Sequence, residues 1–243
     1  MARRGEMTVL PDLIRFDQTG AGAYHPQPMS HPHNPDNQHT QGTKPPHDIT
    51  PRRFFEEWLP AFYASAMAGK RTGDPLEVRI RLDGDGGGAW DLKVGGAQLM
   101  VSPAAHSETP VSIRQTVADW RAIAVGEPGG IDLTPPRGGP LDLVFVDPAL
   151  RQIVGTVRGA VRFEVTGFNG RTWALTVKLG DQPEKPQPDA TITIDAETYD
   201  KLLKRQMQPP EAYFAGKIRL SGDTGLAMQL AMSMMPRFSG EKR

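Results

Sequence analysis

The sequence predicts an α+β fold, with helical segments and β-hairpins in one chain, on three observations. Aromatic residues recur at helical spacing between Phe54 and Tyr63. Leu76, Val78, Ile80 and Leu82 alternate with Glu77, Arg79 and Arg81, the two-residue period of a strand with one buried face. A second hairpin of the same pattern follows 83 residues later. A chain of 243 residues is long enough to bury a sizeable core.

Taken in order, residues 1–49 differ from the rest. Five of the six histidines (His25, His31, His33, His39, His47) and six prolines lie between Gly20 and Asp48, with few large apolar residues to offset chain entropy. This stretch is expected to be a disordered His/Pro-rich arm. His31-Pro32-His33 reads as solvated linker, because prolines between imidazoles do not fix a ligand geometry. Thr50-Pro51 then gives an N-cap followed by proline at the first helical position, and Phe54, Phe55, Trp58, Leu59, Phe62 and Tyr63 make a broad aromatic face. Pro60 is expected to kink or split that helix.

The strand from Leu76 turns at Asp83–Gly88 and returns through Trp90, Leu92 and Val94. Ala97 to Val101 reads as a third strand, Val111–Ile113 as a fourth, and Thr116 to Val125 as a helix. The second hairpin aligns with the first without a gap: Val78/Val161, Arg79/Arg162, Gly84/Gly167, Gly87/Gly170, Trp90/Trp173, Leu92/Leu175 and Val94/Val177 coincide. Asp147-Pro148 echoes Thr50-Pro51 as a helix start, and Val111–Ile113 resembles Ile192–Ile194. An internal duplication is therefore expected, with a first half at 50–126, a connection at 127–146, a more complete second half at 147–236 and a tail at 237–243. In that second half, Ala196 to Arg205 reads as a helix, Pro209 to Phe214 as a short turn, Lys217 to Ser221 as a strand, and Leu226 to Met235 as a nearly apolar helix stopped by Pro236.

Composition excludes several functions. Lys and Arg number 28 and so do Asp and Glu, leaving no bulk attraction for nucleic acid. The absence of cysteine removes disulfides, thiolate metal sites and a thiol nucleophile. No apolar run reaches the roughly 20 residues of a membrane span, and Pro11, Asp12 and Arg15 interrupt the only early apolar stretch, so a cytoplasmic location is expected. Asp83–Gly88 opens onto a strand, and Val94 stands where a calcium loop needs its glutamate, so it reads as a hairpin turn. His106 is the only histidine outside the arm and has no nucleophile elbow to serve. No catalytic residue, metal site or cofactor is expected, and the protein reads as a non-enzyme.

The stretch Ala212-Tyr-Phe-Ala-Gly216-Lys217-Ile-Arg-Leu-Ser-Gly222-Asp223-Thr-Gly-Leu226-Ala-Met-Gln-Leu230 resembles the C-terminal signature of the sterol carrier protein two family. The resemblance is good over roughly residues 148–236 and loose over 51–125, and the first half lacks a counterpart to the Gly216–Leu230 block. It implies a curved antiparallel sheet covered by helices that enclose an apolar tunnel, and binding or transfer of a sterol, fatty acyl chain or other lipid. In that reading Phe163, Val165, Trp173, Leu175 and Val177 form the sheet wall, and Leu202, Tyr213, Phe214, Leu220, Leu226 and Leu230 the helical wall. The implied partner is a hydrophobic small molecule, with transient membrane or enzyme contact. The alternative is an interaction module that keeps the fold without the cavity. Four methionines in the final helix suit a ligand lining through their adaptable side chains, and equally suit a core.

Overall fold

A computed structural model describes residues 44–66, 75–95, 98–126 and 153–230. Most of the predicted arm, the connection, the helix start at Asp147-Pro148 and the last five residues of the predicted final helix lie outside the described residues. The end of the arm lies within them, and Ile49 there is buried in the core. The Arg121 guanidinium donates to its carbonyl at 3.0 Å and also to that of His47.

Helix α1 (Pro51–Arg53) continues through a π-helical turn (Phe54–Trp58) into α2 (Leu59–Ala66). Thr50 caps it, accepting the Arg53 N–H at 3.3 Å. The backbone stays helical through Pro60, with the α-helical register interrupted by the π-helical turn just before it. The Leu59 N–H bonds the Phe54 carbonyl five residues back, so the wide turn before Pro60 absorbs the missing donor.

The strands are β1 (Leu76–Asp83), β2 (Gly88–Val94), β3 (Met100–Pro103), β4 (Val111–Thr116), β5 (Gly159–Phe168), β6 (Arg171–Leu179), β7 (Ala190–Asp195) and β8 (Ile218–Gly222). The helices between and after them are α3 (Val117–Ala124), α4 (Ala196–Leu203), α5 (Pro209–Phe214) and α6 (residues 224–230). All eight strands form one sheet in the order β3-β2-β1-β4-β6-β5-β7-β8. It is mixed where the resemblance implied an antiparallel one. β4 returns beside β1 and β7 beside β5, both parallel, because each hairpin is followed by a crossover to its first strand.

The two units repeat the same order and pairing. β1–β2 with β4 and α3 corresponds to β5–β6 with β7 and α4. Thr116 and Asp195, each ending the parallel strand, accept the backbone N–H three residues on, from Asp119 and Thr198, and so start the helix. The units differ at the far edge. β8 pairs with β7, setting Leu220 opposite Ile192, whereas β4 pairs with β6, setting Val177 opposite Ile113. The second hairpin thus fills on the first unit the place that β8 fills on the second.

Strict alternation gives the sheet two unlike faces. Val78, Ile80, Leu92, Val111, Ile113, Val161 and Leu179 on one face join the buried helical residues Phe54, Phe55, Leu59 and Trp120. The other face is polar and carries ion pairs across or along strands: Arg79–Asp91 at 2.7 Å, Arg114–Asp83 at 2.6 Å and Arg162–Glu164 at 2.8 Å. Arg79 is buried and bidentate on Asp91, whose Oδ2 also accepts the Ala105 N–H at 2.8 Å.

Burial alone would raise the Asp91 carboxyl, but the Arg79 hydrogen bond and the Ala105 N–H hold it below its ordinary value. Asp91→Asn leaves the Arg79 cation without its counter-charge and is expected to cost about 3 kcal/mol in urea unfolding at neutral pH. A lowered carboxylate stabilises fully above its unfolded pKa, about 3.9, and loses that contribution as pH falls through the folded value. The difference between wild type and variant should therefore shrink in acid. A difference as large in acid as at neutrality would overturn the assignment.

Candidate functional site

On the apolar face, residues paired across β6, β5, β7 and β8 fall into three rows. Trp173, Val165, Ile194 and Ile218 make the first, Leu175, Phe163, Ile192 and Leu220 the second, and Val177, Val161, Ala190 and Gly222 the third. The first row packs with Leu202 and Ala196 of α4 and Ala212 of α5 in a small cluster. Val161 and Ala190 of the third row belong with Leu226, Ala227 and Leu230 of α6 in the large one, Val177 packs partly buried against it, and Gly222 is exposed. Between them Leu175, Phe163 and Leu220 stay half-buried, while Ile192 is buried.

Helix positions around these rows are set by a few contacts. The Trp173 indole N–H donates to the Asp119 carbonyl at 2.9 Å, joining β6 to α3. The Asp119 carboxylate accepts the Thr116 hydroxyl at 2.9 Å and the Arg171 guanidinium. At the matching position in the first unit, Trp90 donates to Glu56 at 3.1 Å and stacks on Phe55 with ring centres 4.7 Å apart. The Gly222-Asp223 pair starts α6: Asp223 accepts the Leu226 N–H at 2.9 Å, and its own N–H bonds the Asp189 carbonyl at 2.8 Å. Gly222 has φ 75°, and a Cβ there would meet that same carbonyl oxygen at 2.4 Å. Gly159 at the start of β5 has φ 134°, and its missing Cβ leaves a notch in which a Leu226 methyl sits, 2.6 Å from the position a Cβ would take.

Burial alone would raise the Asp195 carboxyl at the start of α4, but the Thr198 N–H and hydroxyl, with Lys217 nearby, hold it low. It is therefore a helix cap, ionised at neutral pH.

The structure gathers nine of the eleven residues named from sequence. Val165, Trp173 and Leu202 lie in the small cluster, Leu226 and Leu230 in the large one, and Phe163, Val177 and Leu220 pack partly buried against the large one. Leu175 packs against both. Tyr213 and Phe214 stand apart, 40% and 86% exposed. Helix α5 turns inward only Ala212, which is fully buried. Sequence reasoning left out Ile192 and Ile218, although the alternation that selected Phe163 and Val165 also selects the residues paired beside them.

Two depressions among the described residues lie elsewhere. One, of about 270 Å³, is lined by Ser112, Arg114, Thr176, Lys178 and Glu184 among others. The other, of about 250 Å³, runs along residues 187–191 and 221–222. None of the eleven residues lines either one. The Lys178 ammonium is satisfied by the Thr109 and Gln182 carbonyls at 3.0 and 2.9 Å and by Glu108 at 3.3 Å, so it reads as structural. Among the described residues no three His, Asp or Glu side chains cluster as metal ligands would, and no helix is long and apolar enough to cross a membrane.

Gly159→Ala is expected to destabilise the chain by about 2 kcal/mol, since the new methyl must displace Leu226 and the backbone is strained. Leu226→Ala should itself cost about 3 kcal/mol as a cavity. In urea unfolding the double variant should fall short of the sum by about 1 kcal/mol, because the clash is gone; strict additivity would refute the notch.

With this geometry in place, comparison with known proteins gives four findings. A model described as the SCP-2 sterol transfer family matches residues 141–234. The sterol carrier protein 2 of Homo sapiens is 34% identical over 86 residues, 32% of this chain and 16% of that protein. The hydroxysteroid dehydrogenase-like protein 2 of Homo sapiens is 24% identical over 136 residues, 52% of this chain and 32% of that protein. Both matches thus span a third or less of the curated relative's length. The solved sterol carrier protein domain 2 of Helicoverpa armigera is 28% identical, covering 38% of this chain and 78% of that one with a TM-score of 0.30.

Proposed function

We propose, from the match of residues 141–234 to the SCP-2 sterol transfer family, that the protein binds a hydrophobic lipid on the apolar face of its second unit. The observation that supports this reading best is the half-buried middle row. Leu175, Phe163 and Leu220 keep accessible apolar surface, as do Val177 and Ile218 beside them, in a part of the sheet where a core would be expected to close. Val165, Trp173 and Val177, with Leu202, Leu226 and Leu230, form the banks of this strip, and Tyr213 and Phe214 stand outside it. An acyl chain or sterol laid along it gains about 25 cal/mol per Å² removed from water, so selection would follow length and shape more than polar contacts.

In this reading the role is non-catalytic. The dehydrogenase-like relative is matched over about a third of its length, so its name as a whole protein carries no activity over to this chain. Cytoplasmic carriage of the lipid between a membrane and an enzyme or second membrane fits the same proposal, as does an ancestral duplication that gave the chain its two units.

The second reading, an interaction module with a filled interior, is favoured by the burial of Leu226 and Leu230 in the core and by the position of both depressions away from the apolar strip. The readings separate on one experiment. Leu220→Glu and Phe163→Glu place a charge on the half-buried row and should weaken uptake of a fluorescent fatty acid at least tenfold, with the chain still folded by circular dichroism. Native mass spectrometry of wild type from cells should show co-purified lipid. A chain that emerges empty and ignores the probe is the interaction module.

A further inference from the structure

We propose that the depression on the polar face, at the junction of the two units, binds the phosphate group of a small soluble molecule between the guanidinium forks of Arg114 and Arg162. These arginines and Thr176 stand in one row across three adjacent strands. Thr176 of β6 pairs with Arg114 of β4 on one side and with Arg162 of β5 on the other. All three line the same depression of about 270 Å³, near the lower end of the range for small-molecule pockets. Arg114 comes from the first unit and Thr176 and Arg162 from the second, so neither unit forms the clamp alone. Arg162 and Thr176 alternate with Phe163 and Leu175, which puts the clamp on the opposite sheet face from the half-buried row. The proposal stands without the lipid-binding reading.

Hydrogen-bond donors are left open there. Arg114 uses only its Nε, on Asp83 at 2.6 Å, and Arg162 only its Nε, on Glu164 at 2.8 Å. Among the described residues the Nη groups of both arginines and the Thr176 hydroxyl have no hydrogen-bond partner. Arg81 of β1 faces Arg114 in the same row, like charge beside like, and its buried Nε has no partner either. A carboxylate is satisfied by a single fork, whereas a phosphate offers enough oxygens to accept from two forks and a hydroxyl at once.

The hollow has a structural cause. Ala160 and Ala174, short side chains on the polar face of β5 and β6, lower the floor beside Arg162 and Thr176. The segment after β6 makes a wall that is fixed at both ends. Ser112 donates to Glu184 at 2.5 Å, and Asp189 accepts the Ala160 N–H at 2.8 Å, with Pro186 and Pro188 stiffening the chain between. Charges around the hollow balance. In its lining Arg114, Arg162, Lys178 and Lys185 stand with Asp83, Asp119 and Glu184. Arg171 pairs with Asp119, and Arg81 lies 3.9 Å from Glu184. Glu108, Glu164 and Asp189 pair with Lys178, Arg162 and Lys185, so cations and anions cancel. Attraction therefore rests on aimed N–H donors and not on bulk charge, which makes the site selective for the shape of the anion.

Amide shifts of the full chain are followed by NMR as inorganic phosphate, glycerol 3-phosphate or acetate is added at constant ionic strength. The amides of Arg114, Thr176 and Arg162 should shift saturably with the phosphates and not with acetate. Arg162→Gln and Arg114→Gln should each weaken binding about fivefold, and Arg162→Lys about as much, because the ammonium keeps the charge and loses the fork. Both arginine pairs are exposed, so the urea midpoint should hardly move. Thr176→Val, which keeps the side-chain shape and removes the hydroxyl, should cost about threefold and tests the site independently of the arginines. Tighter binding of glycerol 3-phosphate assigns the clamp to a phosphate ester, and equal or tighter binding of inorganic phosphate assigns it to the free ion; either supports it. Equal shifts with acetate, no saturable shift with either phosphate, or undiminished binding by a folded Arg162→Gln or Thr176→Val overturns it.

Discussion

Everything in this fold depends on the seam between β4 and β6. The first unit ends its sheet at β4, whose outer backbone donors and acceptors would otherwise face solvent beside the apolar side chains of Val111 and Ile113. β6 closes that edge from Val111 to Arg114, and the Gly180 N–H extends the pairing to the Pro110 carbonyl at 2.8 Å. The seam is held on both faces. Val111 and Ile113 meet Leu179 and Val177 on the apolar side. On the polar side Ser112 donates to Glu184 at 2.5 Å, and buried Lys178 reaches the Thr109 carbonyl. A slip of one residue would expose the apolar set and bury the charged one, so the register is determined by both patterns at once.

Much of this was legible in the sequence because it is local. The alternation of β1 and β5, the glycine-containing turns, Thr50 as a cap, and the tryptophans at matching positions all follow from neighbours within a few residues. What was not legible is set by distant pairing. The third strand was expected at Ala97–Val101 but forms at Met100–Pro103, where Trp90 faces Pro103 and Leu92 faces Val101. The parallel pairs and the β4–β6 seam join segments separated by tens of residues, and no residue pattern names the partner of an edge. Pro60 pointed to an interruption of the α-helical register, but the form it takes, a wide turn from Phe54 to Trp58, had no separate signal. For the candidate site, the resemblance together with strand alternation pointed to the sheet wall, and the same resemblance put Tyr213 and Phe214 in the helical wall, where the structure does not place them. A six-residue helix has room to turn only one narrow side inward, and Ala212 occupies it.

The two units bury the same kind of sheet face with different material, and that difference bears on where a guest could lie. Over the first unit the helix from Pro51 supplies rings: Phe54 stacks on Trp58 at 5.2 Å, Trp58 on Phe62 at 4.9 Å, Phe55 on Trp90 at 4.7 Å, and Trp120 meets Phe54 edge to face at 5.2 Å. Large flat side chains packed ring to ring fill volume and hold one arrangement. Over the second unit the cover among the described residues includes Leu202, Ala196, Ala212, Leu226, Ala227 and Leu230 on short helices, with Tyr199, Met207 and, from α3, Ala122 and Ile123, mostly aliphatic groups in place of stacked rings. They reach the outer rows and leave Leu175, Phe163 and Leu220 partly uncovered. The notch at Gly159 adds to the effect by drawing Leu226 down against the start of β5, toward the third row and away from the second. On the proposed reading, the first unit is therefore the rigid support and the second the unit that yields to a ligand, and the seam at β4–β6 lets a single sheet serve both.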